Sequence, residues 1–159
     1  MRNFVAAIAL SLLASTNLHA ETPAGNHQAL SSFFGEERGD YIIPGGLVVD
    51  QFGEALSGPP NQPRTLADGT TLISGCRLHS CVEKGAVVVN KQGELKAAGL
   101  IHFSCAKAKG GRRDANCSDI ATFTLFVPRK NQNVFAETAV IEWAHEVARD
   151  AVFDAVTLK

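Results

Sequence analysis

Among 159 residues the chain has one Trp and one Tyr. A glycan-binding module that stacks such rings on sugars would lack its usual parts. Neither sign of charge dominates, with 15 Lys plus Arg against 16 Asp plus Glu, and a nucleic-acid surface draws most of its affinity from an excess of cations. Past the N-terminus no run approaches the 18 or so uncharged apolar residues that a spanning helix needs. Four cysteines are few for a chain of this length, which is long enough to bury a real core, so disulfides are optional and do not replace packing. No Cys-x-x-Cys pair occurs, which argues against a thioredoxin-type redox centre and, with no Cys-x-x-Cys-His, against covalent haem. His145-Glu146-Val147-Ala148-Arg149 starts like the zinc-protease motif His-Glu-x-x-His, but Arg149 stands where the second ligand must be. His145 then reads as a solvated residue on a polar helical face.

The first positive feature is a leader. Met1 to about Ala20 carries Arg2 as its only charge, an apolar run from Phe4 to Leu13 broken only by Ser11, and a polar patch closing on Leu18-His19-Ala20. That pattern predicts a secretory signal peptide at residues 1–20, cleaved near Ala20, with no membrane anchor behind it. Residues 21–159 are expected to form one domain. Loss of Arg2 leaves them mildly acidic, with 14 Lys plus Arg against 16 Asp plus Glu. All four cysteines, at 76, 81, 105 and 117, lie in this domain. Their even number fits two disulfides in an oxidising compartment. Pairing Cys76 with Cys81 and Cys105 with Cys117 closes two local loops.

Leu30, Phe33 and Phe34 can form one helical turn docked on the core. Tyr41 to Gly46 reads as an apolar stub ended by a turn, which Leu47-Val48-Val49 resumes. Ser57 to Pro63 holds three prolines and a glycine and can be neither helix nor strand interior, so it serves as an extended surface connection. Beyond it the sequence turns into strands. Asp68-Gly69 is a hairpin signal, followed by short strands at Thr70–Gly75 and Gly85–Asn90 and a turn at Asn90–Gly93. Leu95, Ala97, Gly99, Ile101 and Phe103 alternate with Lys96, Ala98, Leu100 and His102, a period of two that puts His102 away from the core. Cys105 to Cys117 encloses a basic excursion from Lys107 to Arg113, a solvated loop without aromatic residues to stack on bases. Ala121–Val127 is another strand. Val140, Ala144, Val147, Ala148, Ala151 and Ala155 fall at helical spacing and predict one amphipathic helix over Glu137–Val156. The fold class expected is α+β: an antiparallel β-sheet with helices packed on it, in a single domain.

The stretch that the rest serves is Cys76-Arg77-Leu78-His79-Ser80-Cys81, carried between two neighbouring strands. A disulfide here restricts the backbone of the residues between before any partner arrives, and pre-ordering favours binding. The chain-entropy model gives only roughly 2 kcal/mol for so short a closure, so shape outranks stability. Other readings are a plain staple with His79 as an exposed loop residue, and a zinc site or thiol enzyme using Cys76, His79 and Cys81. Zinc needs thiolates, which an oxidising compartment removes.

Asp68-Gly69-Thr70, the strand to Gly75, the Cys-x-x-His-x-Cys loop, Lys84-Gly85-Ala86-Val87-Val88-Val89 and Ala98-Gly99-Leu100 together resemble the inhibitor of vertebrate lysozyme (Ivy) family. The likeness is clearest over residues 68–104. It implies a periplasmic protein that is not an enzyme and needs no cofactor or metal. Its disulfide-closed loop protrudes and its histidine enters the active-site cleft of a c-type lysozyme. Carried over, His79 is the inserted residue and Cys76 and Cys81 are the clasp. Arg77 stands where the family commonly has Lys, Leu78 where it has Pro, and Ser80 where it has Asp. Without Pro a backbone angle is freed; without Asp a charge that could meet a basic enzyme is gone. The partners expected are a c-type lysozyme or a related muramidase or lytic transglycosylase, not nucleic acid, and the chain could also pair as a homodimer.

Overall fold

The computed structural model describes residues 27–103 and 119–159. In chain order the elements are α1 (His27–Phe34), β1 (Arg38–Gly39), β2 (Gly46–Leu47), α2 (Val48–Ala55), β3 (Arg64–Thr65), β4 (Thr71–Arg77), β5 (Ser80–Val89), β6 (Leu95–His102), β7 (Thr122–Pro128), α3 (Val134–Val147) and β8 (Val152–Leu158). Strands β3 to β8 form one sheet in sequence order, while β1 and β2 make a separate small pair. Each neighbour from β3 to β7 is antiparallel, and β8 is parallel to β7. A parallel neighbour needs a crossover, and α3 supplies it. The arrangement is α+β and mostly antiparallel. Among the described residues no helix is long and apolar enough to cross a membrane.

Both faces of the sheet are covered. Ile73, Val87, Ala98, Leu100 and Phe126 pack under α1 and α2 against Leu30, Phe34, Val48 and Phe52. Leu72, Ala86, Val88, Ile101 and Phe123 pack under α3 against Val140 and Trp143. Phe34, Phe52 and Phe126 form an aromatic triangle with ring centroids 4.5 to 5.5 Å apart. A fully buried side chain of this size contributes about 2–3 kcal/mol by area removed from water. On the other face α3 comes close to β6 because residue 99 is glycine: a Cβ there would collide with Val140 and Phe123.

The tertiary fold explains three departures from the sequence reading. His102 does not face solvent; it is 1% exposed, because the face of β6 that holds Ala98 and Leu100 lies beneath the N-terminal helices. Leu47-Val48-Val49 does not resume a strand beyond Leu47, since Val48 opens α2. Val48, Val49, Phe52 and Ala55 bury one side of that helix, a spacing of i, i+1, i+4 and i+7 that the sequence displays. The C-terminal helix ends at Val147, not near Val156, and Val152–Leu158 is strand β8. Ala151 and Ala155 match helical spacing by coincidence. Val152, Phe153, Val156 and Thr157 favour a strand, and β7 offers seven consecutive partners from Thr122 to Pro128. The leader, the basic excursion at Lys107 to Arg113, and Cys105 and Cys117 with their expected pairing lie outside the described residues.

Gln51 fixes α2 to the segment before it. The side chain is fully buried; its Oε1 accepts from the backbone N–H of Tyr41, Ile42 and Ile43 at 3.2, 2.7 and 3.0 Å. Its Nε2 donates to the carbonyls of Gly39 and Gly46 at 2.9 and 3.1 Å. One amide thus satisfies five backbone groups that β1 and β2 are too short to pair, and α2 is held where its C-terminal end reaches the cysteine hairpin.

Candidate functional site: the clasped hairpin

Strands β4 and β5 pair regularly from Thr71↔Val89 to Cys76↔Lys84, and the register then shifts so that the last pair is Arg77↔Ser80. Leu78 and His79 are therefore a two-residue turn, and Cys81, Val82 and Glu83 bulge from β5 without partners on β4. His79 has φ +64°, a left-handed conformation that histidine enters more readily than most residues with a Cβ. Positive φ at only the second central position belongs to a type II turn. Primed turns follow the twist of a hairpin and unprimed ones splay it, so this turn needs support from outside itself.

Four supports converge on it. Cys76 and Cys81 are disulfide-bonded across the neck, with Cα atoms 4.9 Å apart. Arg77 is clamped between two carboxylates: Nη1 donates to Glu83 Oε2 at 2.7 Å, and Nε lies 3.4 Å from Glu54 Oε2 on α2. The hydrogen bond donated to Glu83 pushes the guanidinium pKa up, against a smaller opposing effect of burial. The chain leaving α2 braces the turn from the side. Ser57 Oγ accepts from Leu78 N–H at 3.0 Å, and Gly58 N–H donates to the Cys76 carbonyl at 2.8 Å. A Cβ at residue 58 would come within 2.6 Å of that carbonyl oxygen, so the close approach requires glycine. Lys84 Nζ donates to the Cys81 carbonyl.

What remains on the outside is a small mixed surface. His79 is exposed at the tip, with Leu78 and Val82 more than half exposed beside it. Arg77, next to His79 in sequence, does not share that surface as a free cation; its charge is spent on Glu54 and Glu83. The sulfurs of Cys76 and Cys81 are bonded to each other and leave no thiolate at these positions for a metal or for nucleophilic chemistry. Among the described residues no cluster of three or more His, Cys, Asp or Glu side chains has the arrangement of a metal site.

Beneath the hairpin lies a buried polar knot. His102, whose neighbour Ile101 pairs with Lys84, holds its Nε2 2.9 Å from Thr124 Oγ1 and its ring 5.0 Å from that of Tyr41. Burial pushes the His102 pKa down to about 4, with Asp154 and Glu83 pulling weakly the other way. Burial, then the charges of Asp154, Glu37 and Asp40, push Tyr41 up to about 12. Both groups are thus neutral over the ordinary pH range, as expected for packing elements. His145 is exposed on α3.

The structure brings all six residues of the sequence motif together and adds four that motif reading missed: Glu54, Ser57, Gly58 and Glu83. Glu83 had a signal, being an acid two residues past Cys81 in a strand that turns apolar from Gly85 to Val89. Glu54 had one in the helical spacing of α2. Comparison with protein-family models, curated proteins and solved structures finds no match to this chain.

Proposed function

We propose that this protein is an exported, periplasmic, non-catalytic inhibitor of a peptidoglycan-cleaving muramidase, a c-type lysozyme in the first instance. The supporting observation is His79, exposed at the tip of a hairpin clasped by Cys76–Cys81 and braced by Arg77, Glu54 and Glu83. A retaining glycosidase of this kind holds two carboxyl groups about 5 Å apart, one acid and one nucleophile. An imidazole set between them donates hydrogen bonds into the space of the scissile bond and offers no bond to cleave. Leu78 and Val82 give apolar contact on either side, and the bracing means little ordering entropy is lost on docking.

A lytic transglycosylase is the second target, because the same glycan cleft without a strongly basic enzyme around it suits an inhibitor with little net charge to steer it. Lysis of a peptidoglycan suspension by a c-type lysozyme, with increasing amounts of the protein, tests the proposal. Saturable inhibition at equimolar amounts is expected. If lysozyme is unaffected and a purified lytic transglycosylase is inhibited instead, the second target replaces the first; inhibition of neither refutes the proposal.

A further inference from the structure

A second site lies at the far end of the sheet, where the β5–β6 turn and the segment after β7 meet α1. Here a cavity of about 690 Å³ opens, within the range of small-ligand sites. Ten residues of β5 separate it from the hairpin, roughly 30 Å at strand rise. Phe33, Leu95 and Pro128 give its lining an apolar part; Ser32 on α1, Gln92, Glu94 and Lys96 on one side and Lys130 and Asn131 on the other give polar walls.

Both walls are set in place. Asn90 Oδ1 accepts from the N–H groups of Gln92 and Glu94 at 3.0 and 2.9 Å, and Gly93 has φ +80°. Asn131 is held at φ +58°, a position that asparagine tolerates better than most side chains. The charge is asymmetric. Lys96 is neutralised by Glu94 at 2.9 Å, whereas Lys130 is exposed and, among the described residues, has no carboxylate within ion-pair distance.

From this lining we infer that the cavity binds an N-acetylated sugar that also carries a carboxylate, a muramyl saccharide. The apolar part of the lining suits the C–H face of a pyranose ring, the amides of Gln92 and Asn131 suit hydroxyl and acetamido groups, and Lys130 suits one carboxylate. A site for an apolar ligand would not spend so many amides, and a nucleic-acid site would need more than one uncompensated cation. The shortage of Trp and Tyr that argues against a ring-stacking module does not bear on a pocket built from one Phe and amides. The inference rests on the cavity; the proposed function adds that this sugar belongs to the polymer a muramidase cleaves, so the protein would sit on the wall with its hairpin free.

The test is a nuclear magnetic resonance titration of the protein exported by its own leader. One arm uses N-acetylglucosaminyl-N-acetylmuramic acid and the other N,N′-diacetylchitobiose, which lacks the lactyl carboxylate. Backbone resonances at 92–96 and 128–131 are expected to move in the first arm. Binding of the uncharged disaccharide should be weaker by about threefold to fivefold, as for one exposed ion pair. Lys130→Gln should bring the first arm down to the second. His79→Gly should leave both arms unchanged, so this result and the lysis assay fail independently. No movement at those residues, or equal or tighter binding of the uncharged disaccharide, would overturn the inference.

Discussion

Arg77 Nη1 lies 2.7 Å from Glu83 Oε2, and that contact joins the last residue of β4 to the bulge of β5 that carries the clasp. Glu83 is almost buried while the Arg77 side chain is a third exposed. The carboxylate therefore depends on the guanidinium more than the reverse, and Glu54 on α2 adds a second anchor at 3.4 Å. In sequence Arg77 is simply the cation two residues before His79; the geometry makes it a strut.

Arg77→Met should accordingly act on the hairpin before it acts on any partner. Leaving Glu83 nearly buried without its donor costs about 1–2 kcal/mol, the lower end being favoured because the pair is partly solvated. Glu83→Leu added to Arg77→Met removes the orphaned carboxylate and should recover part of the loss. Urea unfolding of the two single variants and the double variant measures the coupling. Strict additivity would show that the contact contributes nothing.

Removing the disulfide by Cys76→Ser with Cys81→Ser separates shape from stability. The closure is short and should contribute roughly 2 kcal/mol to folding, too little to unfold a domain with a core on both sheet faces. Inhibition should suffer more than stability does, because the unprimed turn at Leu78-His79 loses its clasp. Inhibition that persists at full strength in the folded variant would make the bond a staple and nothing more.

His102 sets an acid limb on stability. Its folded pKa is about 4 against an ordinary value of 6.5, so between those pH values the unfolded chain binds a proton that the folded chain refuses. Stability should therefore fall as pH drops from 6.5 towards 4, by roughly 2–3 kcal/mol in total. Asp68 and Glu94, whose carboxyl pKa values are lowered from 3.8 and 4.5 by hydrogen bonds from Thr70 and by Lys96 respectively, lose their own contribution as pH falls through those ordinary values, so they overlap only the acid end of that window and leave its upper part to the histidine. Urea midpoints across it should flatten in His102→Gln if the histidine is the cause; an unchanged slope would assign the limb to other groups.

The parts of the fold legible in the sequence are those where local chemistry and tertiary packing agree. Asp68-Gly69 and Asn90 to Gly93 are turns wherever they occur, and both glycines take the positive φ that such turns use. The strands flanking the cysteines follow from apolar content between those turns. His102 was illegible because alternation identifies a strand without telling whether its second face meets water or a helix. The break between α3 and β8 was illegible because alanines fit either period, and only β7, supplied by the tertiary fold, decides for a strand. At the hairpin, the closure of Cys76 on Cys81 was readable from spacing. Glu54, Ser57 and Gly58 were not, since they come from about 20 residues earlier in the chain and meet the loop only after α2 has formed.

The central claim is that the side chain of His79, presented by a preformed turn, is the inhibitory element. His79→Gly tests it most directly, because glycine accepts φ +64° without strain and the clasp and struts are untouched. Unfolding should be nearly unchanged, while the inhibition constant against the lysozyme or transglycosylase that the wild type inhibits should rise at least about 30-fold, as for an interface residue worth 2 kcal/mol or more. An inhibition constant equal to that of the wild type, with the fold intact, would contradict the account.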